Sequence, residues 1–180
     1  MDQRRVATVR RATIDDADGL ASVHVASWRS TYPGIVDQQY IDSLNVVERS
    51  AAWRKRLADD SPQAMDMFVA ELPDRGIVGF ASGGRIRHPE AGFDGELYAI
   101  YLLADVQRSG IGRQLVRAWA TAAIERGFHS AVVRVLAGNP ARAFYERLGG
   151  RKIKEAALTI GARDYPELWY AWDDLSLLAR

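Results

Sequence analysis

The residues with the plainest chemical purpose form a short run, Gln107-Arg108-Ser109-Gly110-Ile111-Gly112-Arg113. An apolar, aromatic-rich stretch from Gly95 to Leu103 precedes it and reads as a strand. After it, Ile111, Leu115, Trp119 and Ala122 or Ala123 recur three to four residues apart, which predicts an amphipathic helix over 110–126. A strand that feeds a glycine-bearing turn and then a helix makes an anion site. The first helical amides have no internal partner, and the aligned peptide dipoles favour negative charge there. Gly110 and Gly112 have no side chain to hold a ligand away from those amides, and Arg108 and Arg113 bring positive charge to the same corner. The chemistry predicted is the binding of a phosphate or diphosphate. The spacing fits neither Gly-x-x-x-x-Gly-Lys-Ser/Thr nor Gly-x-Gly-x-x-Gly, so two better-known phosphate loops are excluded.

A second run, Asn139-Pro-Ala-Arg-Ala-Phe-Tyr-Glu-Arg-Leu-Gly-Gly150, lies downstream. The first run resembles the Gln/Arg-x-x-Gly-x-Gly/Ala signature of the GNAT acetyltransferases. The second resembles the Asn-x-x-Ala-x-x-Phe-Tyr-x-x-x-Gly-Phe segment of the same family. It departs from that pattern in two ways: Asn139 to Phe144 is one residue shorter than in many members, and Gly150 stands where an aromatic residue is usual. The two motifs keep the family's order and separation and cover residues 95–150. Ala26 to Gly34, Trp53 and the stretch Tyr165 to Trp172 resemble one recurring subgroup, whose membership carries no settled acceptor.

The resemblance implies transfer of an acetyl group from acetyl-CoA to a primary amine by direct attack in a ternary complex. It places the cofactor's diphosphate on Gln107, Arg108, Ser109, Gly110, Ile111, Gly112 and Arg113. Backbone groups of Ile100, Tyr101 and Leu102 would pair with the pantetheine arm as another strand would, and the Leu102 amide could donate to the thioester oxygen. Such chemistry needs a neutral amine, and neutralising one with a pKa of about 10.4 near pH 7 costs roughly 4–5 kcal/mol. Glu96 is the expected base, directly or through water; otherwise it is a solvated carboxylate beside the 88–95 loop. Arg134 occupies the place of the glutamate that some relatives use instead. Tyr145 is the expected acid or hydrogen-bond donor to the CoA sulfur; otherwise it is a core tyrosine on an amphipathic helix. Asn139 either touches CoA or caps its helix. Trp28, Tyr32 and Tyr98 either line the acceptor pocket or pack in the core. Glu167 reads as a surface carboxylate, with contact to a cationic acceptor as the other possibility. A small-molecule acceptor is the first expectation; a peptide acceptor and a catalytically silent acyl-CoA sensor are the alternatives.

The elements that would position these groups follow from periodicity and punctuation. Residues 4–12 read as a first strand, and Thr13 with Asp16 as a capping box for the helix carrying Ala17, Leu20, Ala21, His24 and Trp28. Tyr32-Pro33-Gly34 ends that helix. Asp37 caps a short helix through Leu44, and a third helix covers Val46 to Ala58. Met65–Leu72 and Ile77–Ile86 form a hairpin about Pro73-Asp-Arg-Gly76; the small residues of its second strand signal close backbone approach or bends. Then come a loop over 88–95, the strand and helix described first, a strand over 130–136, and a helix capped by Asn139 with Pro140 at its first position. That helix stops at Gly149-Gly150, and an antiparallel pair over 151–160 and 165–175 closes the chain. This order predicts an α/β protein with one mixed, mostly antiparallel sheet and helices on both faces. The single parallel strand pair should centre on 95–103 and 130–136. One domain over residues 1–180 is expected.

Composition narrows the rest. A formal net charge of +1 gives no electrostatic reason to propose nucleic acid as the ligand. Arg54-Lys55-Arg56 is most simply a solvated helix face. The chain has no cysteine, which removes disulfides and thiolate metal sites, and His24, His88 and His129 lack metal-like spacing. With no signal-like or membrane-length apolar run, a cytoplasmic protein without a membrane or metal is expected. Oligomeric state is open, although homodimers are common among similar proteins.

Overall fold

The computed structural model describes residues 7–61 and 63–180. Among these residues seven strands form one sheet in the order β1-β2-β3-β4-β5-β7-β6. They are β1 (Thr8–Arg11), β2 (Asp66–Leu72), β3 (Gly76–Arg85), β4 (Gly95–Leu102), β5 (Ala131–Leu136), β6 (Arg151–Ile160) and β7 (Arg163–Trp172). Every neighbouring pair is antiparallel except β4 and β5, as expected. Residues 4–6 of the expected first strand lie outside the described residues.

The helices are α1 (Ala17–Thr31), α2 (Gln38–Ser43), α3 (Val46–Leu57), α4 (Ile111–Glu125) and α5 (Arg142–Arg147). The Thr13–Asp16 capping box is present, but it opens a one-turn 3₁₀ helix, Ile14–Asp16, that runs into α1. Asp37 and Asn45 cap α2 and α3 by accepting from backbone amides two residues on. The last strand ends at Trp172, earlier than its apolar pattern suggests, because Leu175 is buried from a 3₁₀ turn instead.

Helix α4 buries Leu115, Trp119 and Ala123 against one face of the sheet, in a cluster with Leu97, Val133 and Phe128. On the other face α1 buries Leu20 and Ala21 with Trp53 of α3 and Phe80 of β3. Close approach of α4 depends on the small residues of β3: a Cβ at Gly83 would lie 2.2 Å from Trp119 Nε1 and 2.6 Å from the Glu96 carbonyl oxygen. The register shifts here, with Ser82 opposite Ala99 and Gly83 opposite Leu97, so Tyr98 is an extra residue in β4. A bulge of this kind bends its strand and increases its twist.

The consequence is a split in the sheet. Strands β4 and β5 pair only across Gly95–Ala131, Glu96–Val132 and Leu97–Val133. Beyond Leu97 each stays with its outer neighbour, β4 with β3 as far as Leu102 and β5 with β7 as far as Leu136. The two inner edges separate and become the walls of a cleft.

Candidate active site

The cleft has a volume of about 960 Å³ and is walled by Tyr98–Leu102 on β4 and Val133–Leu136 on β5. At one end lies the bend before α4. Arg108 has φ +60° and Gly110 φ +92°, both in the left-handed region, so the chain turns sharply into the helix. Gly110 tolerates this because it has no Cβ. Among the described residues no side chain caps the first amides of α4. Gln107, Arg108, Gly110, Gly112 and Arg113 all line the cleft. Ser109 and Ile111 face elsewhere: Ser109 Oγ donates to the Val106 carbonyl at 2.6 Å, and the Ile111 side chain is buried in the core.

Ile100, Tyr101 and Leu102 lie along the β4 wall, and Tyr145 of α5 and Asn139 close the cleft. Tyr145 is only 5% exposed, and burial, followed by the neighbouring Tyr101, raises its pKa above the usual tyrosine value. Its hydroxyl therefore keeps its proton across the physiological range. Burial also raises the pKa of Tyr101, and pushes that of Tyr32 up to about 12. Trp28 Nε1 donates to Tyr101 Oη at 3.0 Å, and Asn139 Nδ2 donates to Tyr32 Oη at 3.0 Å. Asn139 Oδ1 accepts from the Ala141 amide at 2.8 Å. Asn139 thus caps a turn, and α5 begins at Arg142 instead of at Pro140. Trp28, Tyr32 and Tyr98 also line the cleft.

The carboxylates differ from expectation. Glu96 is neither solvated nor at the cleft wall. It is fully buried, and both its oxygens are bound by Arg87: Nη2 pairs with Oε1, and Nε and the Arg87 amide donate to Oε2 at 3.1 Å. Arg87 is the group that lines the cleft, its guanidinium lying 4.5 Å from the centroid of the Tyr98 ring. Glu167 is likewise no surface carboxylate. It is 2% exposed, it lines the cleft, and its Oε2 accepts from Arg134 Nε and Trp169 Nε1, each at 3.0 Å. Arg134 and Glu96 share a sheet face, since Glu96 lies opposite Val132 in the parallel register and Arg134 is two residues further along β5. Arg87 was not singled out from the sequence; Arg134 was read only as standing in place of a glutamate, and Glu167 first as a surface carboxylate, yet all three line the cleft. A lone arginine inside Ala-Val-Val-Arg-Val-Leu, and a lone glutamate inside a strand of aromatic residues, were the available signal, because charges in buried strands need partners.

Residues 78–158 match the FR47-like protein family, a span that contains both walls, the bend and Tyr145. The chain is also 39% identical over 171 residues to the uncharacterized N-acetyltransferase YuaI of Bacillus subtilis strain 168, covering 95% of each protein. The chain belongs to the GNAT family of N-acetyltransferases. This is the family whose motifs the two runs resemble.

Solved GNAT structures share the acetyltransferase's fold. The PaiA N-acetyltransferase of Thermoplasma acidophilum, solved in complex with coenzyme A, superposes with a TM-score of 0.68 at 19% identity over 91% of this chain and 98% of that one. The YncA putative acetyltransferase of Salmonella typhimurium, with its cofactor acetyl-CoA, gives 0.69 at 19% identity over 94% of both chains. The ribosomal-protein-alanine N-acetyltransferase of Brucella melitensis gives 0.69 at 24% identity over 92% of this chain and 98% of that one. Among the described residues of this acetyltransferase, no cluster of three or more His, Asp or Glu could hold a metal ion. None of its helices in that range is long and apolar enough to cross a membrane.

Proposed function

We propose that this acetyltransferase moves the acetyl group of acetyl-CoA to the primary amine of a small acceptor by direct attack in a ternary complex. The observation that carries the proposal is the joining of two features in one cleft: uncapped α4 amides beside Arg108 and Arg113 at one end, and separated β4 and β5 edges leading away from them. The end of the helix suits a diphosphate. The inner edge of β4 from Tyr98 to Leu102 lacks a strand partner and suits an extended amide-bearing arm, which would add as a strand does. Bound acetyl-CoA would supply an activated thioester.

The residues then divide the work. Ile100, Tyr101 and Leu102 orient the arm through their backbone groups. Tyr145, protonated and at the cleft, donates to the departing sulfur, a contribution of about 10²–10⁴ in rate in comparable general-acid steps. Glu96 stands one layer behind the wall with Arg87 as its direct partner, so any proton it takes from the amine reaches it through water. Trp28, Tyr32 and Tyr98 exclude bulk water from the acceptor. A small acceptor is favoured because Trp28 and Tyr32, which line the cleft, pack against each other with ring centroids 4.4 Å apart and leave an aromatic wall there.

Calorimetry with CoA and acetyl-CoA, followed by thiol release across an amine panel, tests the reading. Micromolar binding together with amine-dependent thiol release is expected. Absence of any heat for either form of the cofactor would end the proposal.

A further inference from the structure

We infer that the acceptor carries a carboxylate beside the amine it presents, and that Arg87 and Arg134 hold that carboxylate; the inference rests on the acetyl-transfer reading above. The two arginines come from different elements, Arg134 from β5 and Arg87 from the segment after β3, yet both reach the cleft near the point where β4 and β5 part. This is the end of the cleft away from the α4 bend. The acceptor must enter there if the cofactor's diphosphate lies on α4.

Each guanidinium is fixed by a buried glutamate. Arg87 uses Nε and Nη2 on Glu96, and Arg134 uses Nε and Nη2 on Glu167. The pairs also feel one another, since Glu167 contributes to the field at Arg87. Arg134 Nη1 lies 2.9 Å from His88 Nε2. Among the described residues Arg87 bonds Glu96 through its amide, Nε and Nη2, and its side chain lines the cleft and is 53% exposed.

This arrangement selects by charge. Both buried carboxylates are already spent on arginines, so a polycation such as a polyamine meets no free acid at this wall and two fixed guanidiniums instead. A carboxylate meets planar, pre-oriented N–H donors, which is the geometry arginine offers better than lysine. Trp28, Tyr32 and Tyr98 provide an apolar surface for the remainder of the acceptor. An α-amino acid has this set of groups in the smallest space.

The test compares thiol release from acetyl-CoA with each of the common L-amino acids, its α-amide and its decarboxylated amine, with spermidine alongside. At least one free acid is expected to exceed its own amide and amine in kcat/KM by about 10- to 100-fold, the range for a hydrogen bond to a charged group. The paired variant R87Q/E96Q removes both charges, leaving no buried ion unpartnered, and should drive the acid-to-amide ratio toward one. If that variant does not fold, Arg87→Lys keeps the charge without the fork and should lower the same ratio. Amides or spermidine turned over as well as the acids would overturn the inference, as would a ratio unchanged in the variants. Silence of every amino acid while CoA still binds would overturn it too. Absence of CoA binding would instead overturn the acetyl-transfer reading itself.

Discussion

The hydroxyl of Tyr32 accepts a 3.0 Å hydrogen bond from Nδ2 of Asn139, tying the end of α1 to the turn that follows β5. Through it, one wall of the cleft is fastened to the helix that covers the other. Asn139 is 7% exposed and also accepts from the Ala141 amide, so its amide group is satisfied on both sides. Asn139→Ala removes both bonds and should cost about 2–3 kcal/mol, read as a lower urea midpoint at unchanged slope. In a double-mutant cycle with Tyr32→Phe the pair should couple by about 0.5–1.5 kcal/mol. Strict additivity would mean that the tie carries no energy.

Tyr145→Phe isolates the hydroxyl from the ring. The ring packs against Phe144, Tyr170 and Trp172, and phenylalanine keeps those contacts. Turnover should fall about 100-fold or more while CoA affinity changes little, because the proton is needed only as the sulfur departs. Burial holds the Tyr145 pKa above its ordinary value, so the wild-type rate should not decline on the alkaline side as far as pH 9.5 through loss of this proton. Full activity of the phenylalanine variant across pH would remove Tyr145 from the chemistry.

Most of the secondary structure could be read because each element carries its own local signal. Leu115, Trp119 and Ala123 mark one face of α4, and Asp37 and Asn45 mark where α2 and α3 begin. The bend at 107–113 was legible for the same reason, since its glycines and arginines sit together in the chain. What was not legible depends on partners distant in sequence. That Tyr98 is a bulge, and that β4 and β5 part after Leu97, is set by register against β3 and β7. The Glu96–Arg87 and Glu167–Arg134 pairs were missed because a carboxylate in sequence looks solvated until its cation is located. The start of α5 was misjudged because Asn139 makes the same kind of bond in a turn as in a helix cap.

Gly110 offers a way to perturb the diphosphate end without touching a side chain. A Cβ there would meet nothing within 4 Å, yet φ is +92°. Gly110→Ala should therefore act through backbone conformation alone, at about 1–2 kcal/mol. That corresponds to a drop in Tm of roughly 2–8 °C for a chain of this size. CoA affinity should weaken as the Ile111–Arg113 amides shift. Gly110→Asn should lose less, because asparagine enters the left-handed region more readily. Equal losses for the two variants would show that conformation is not the cause.

His24 makes stability depend on acid. It is 9% exposed within α1, among the rings of Trp28, Trp53, Phe80 and Tyr101, and its Nδ1 has no hydrogen-bond partner among the described residues. Burial, with smaller contributions from Arg49 and Arg56, lowers its pKa from 6.5 to about 3. Above pH 6.5 the ring is neutral in both the folded and unfolded chain and pH has no leverage through it. Between 6.5 and 3 the unfolded chain takes up a proton that the folded chain refuses, so stability is lost as pH falls, by about 1.4 kcal/mol per unit. Asp16, whose pKa is lowered chiefly by its hydrogen bond from Arg10, adds to the loss only near and below the ordinary aspartate range. Urea titrations at pH 7.0 and 4.5 should thus differ by ~3 kcal/mol through His24. His24→Phe, which keeps an aromatic ring in the cluster, should remove that share of the difference; an unchanged difference in the variant would show that the ring is not the titrating group.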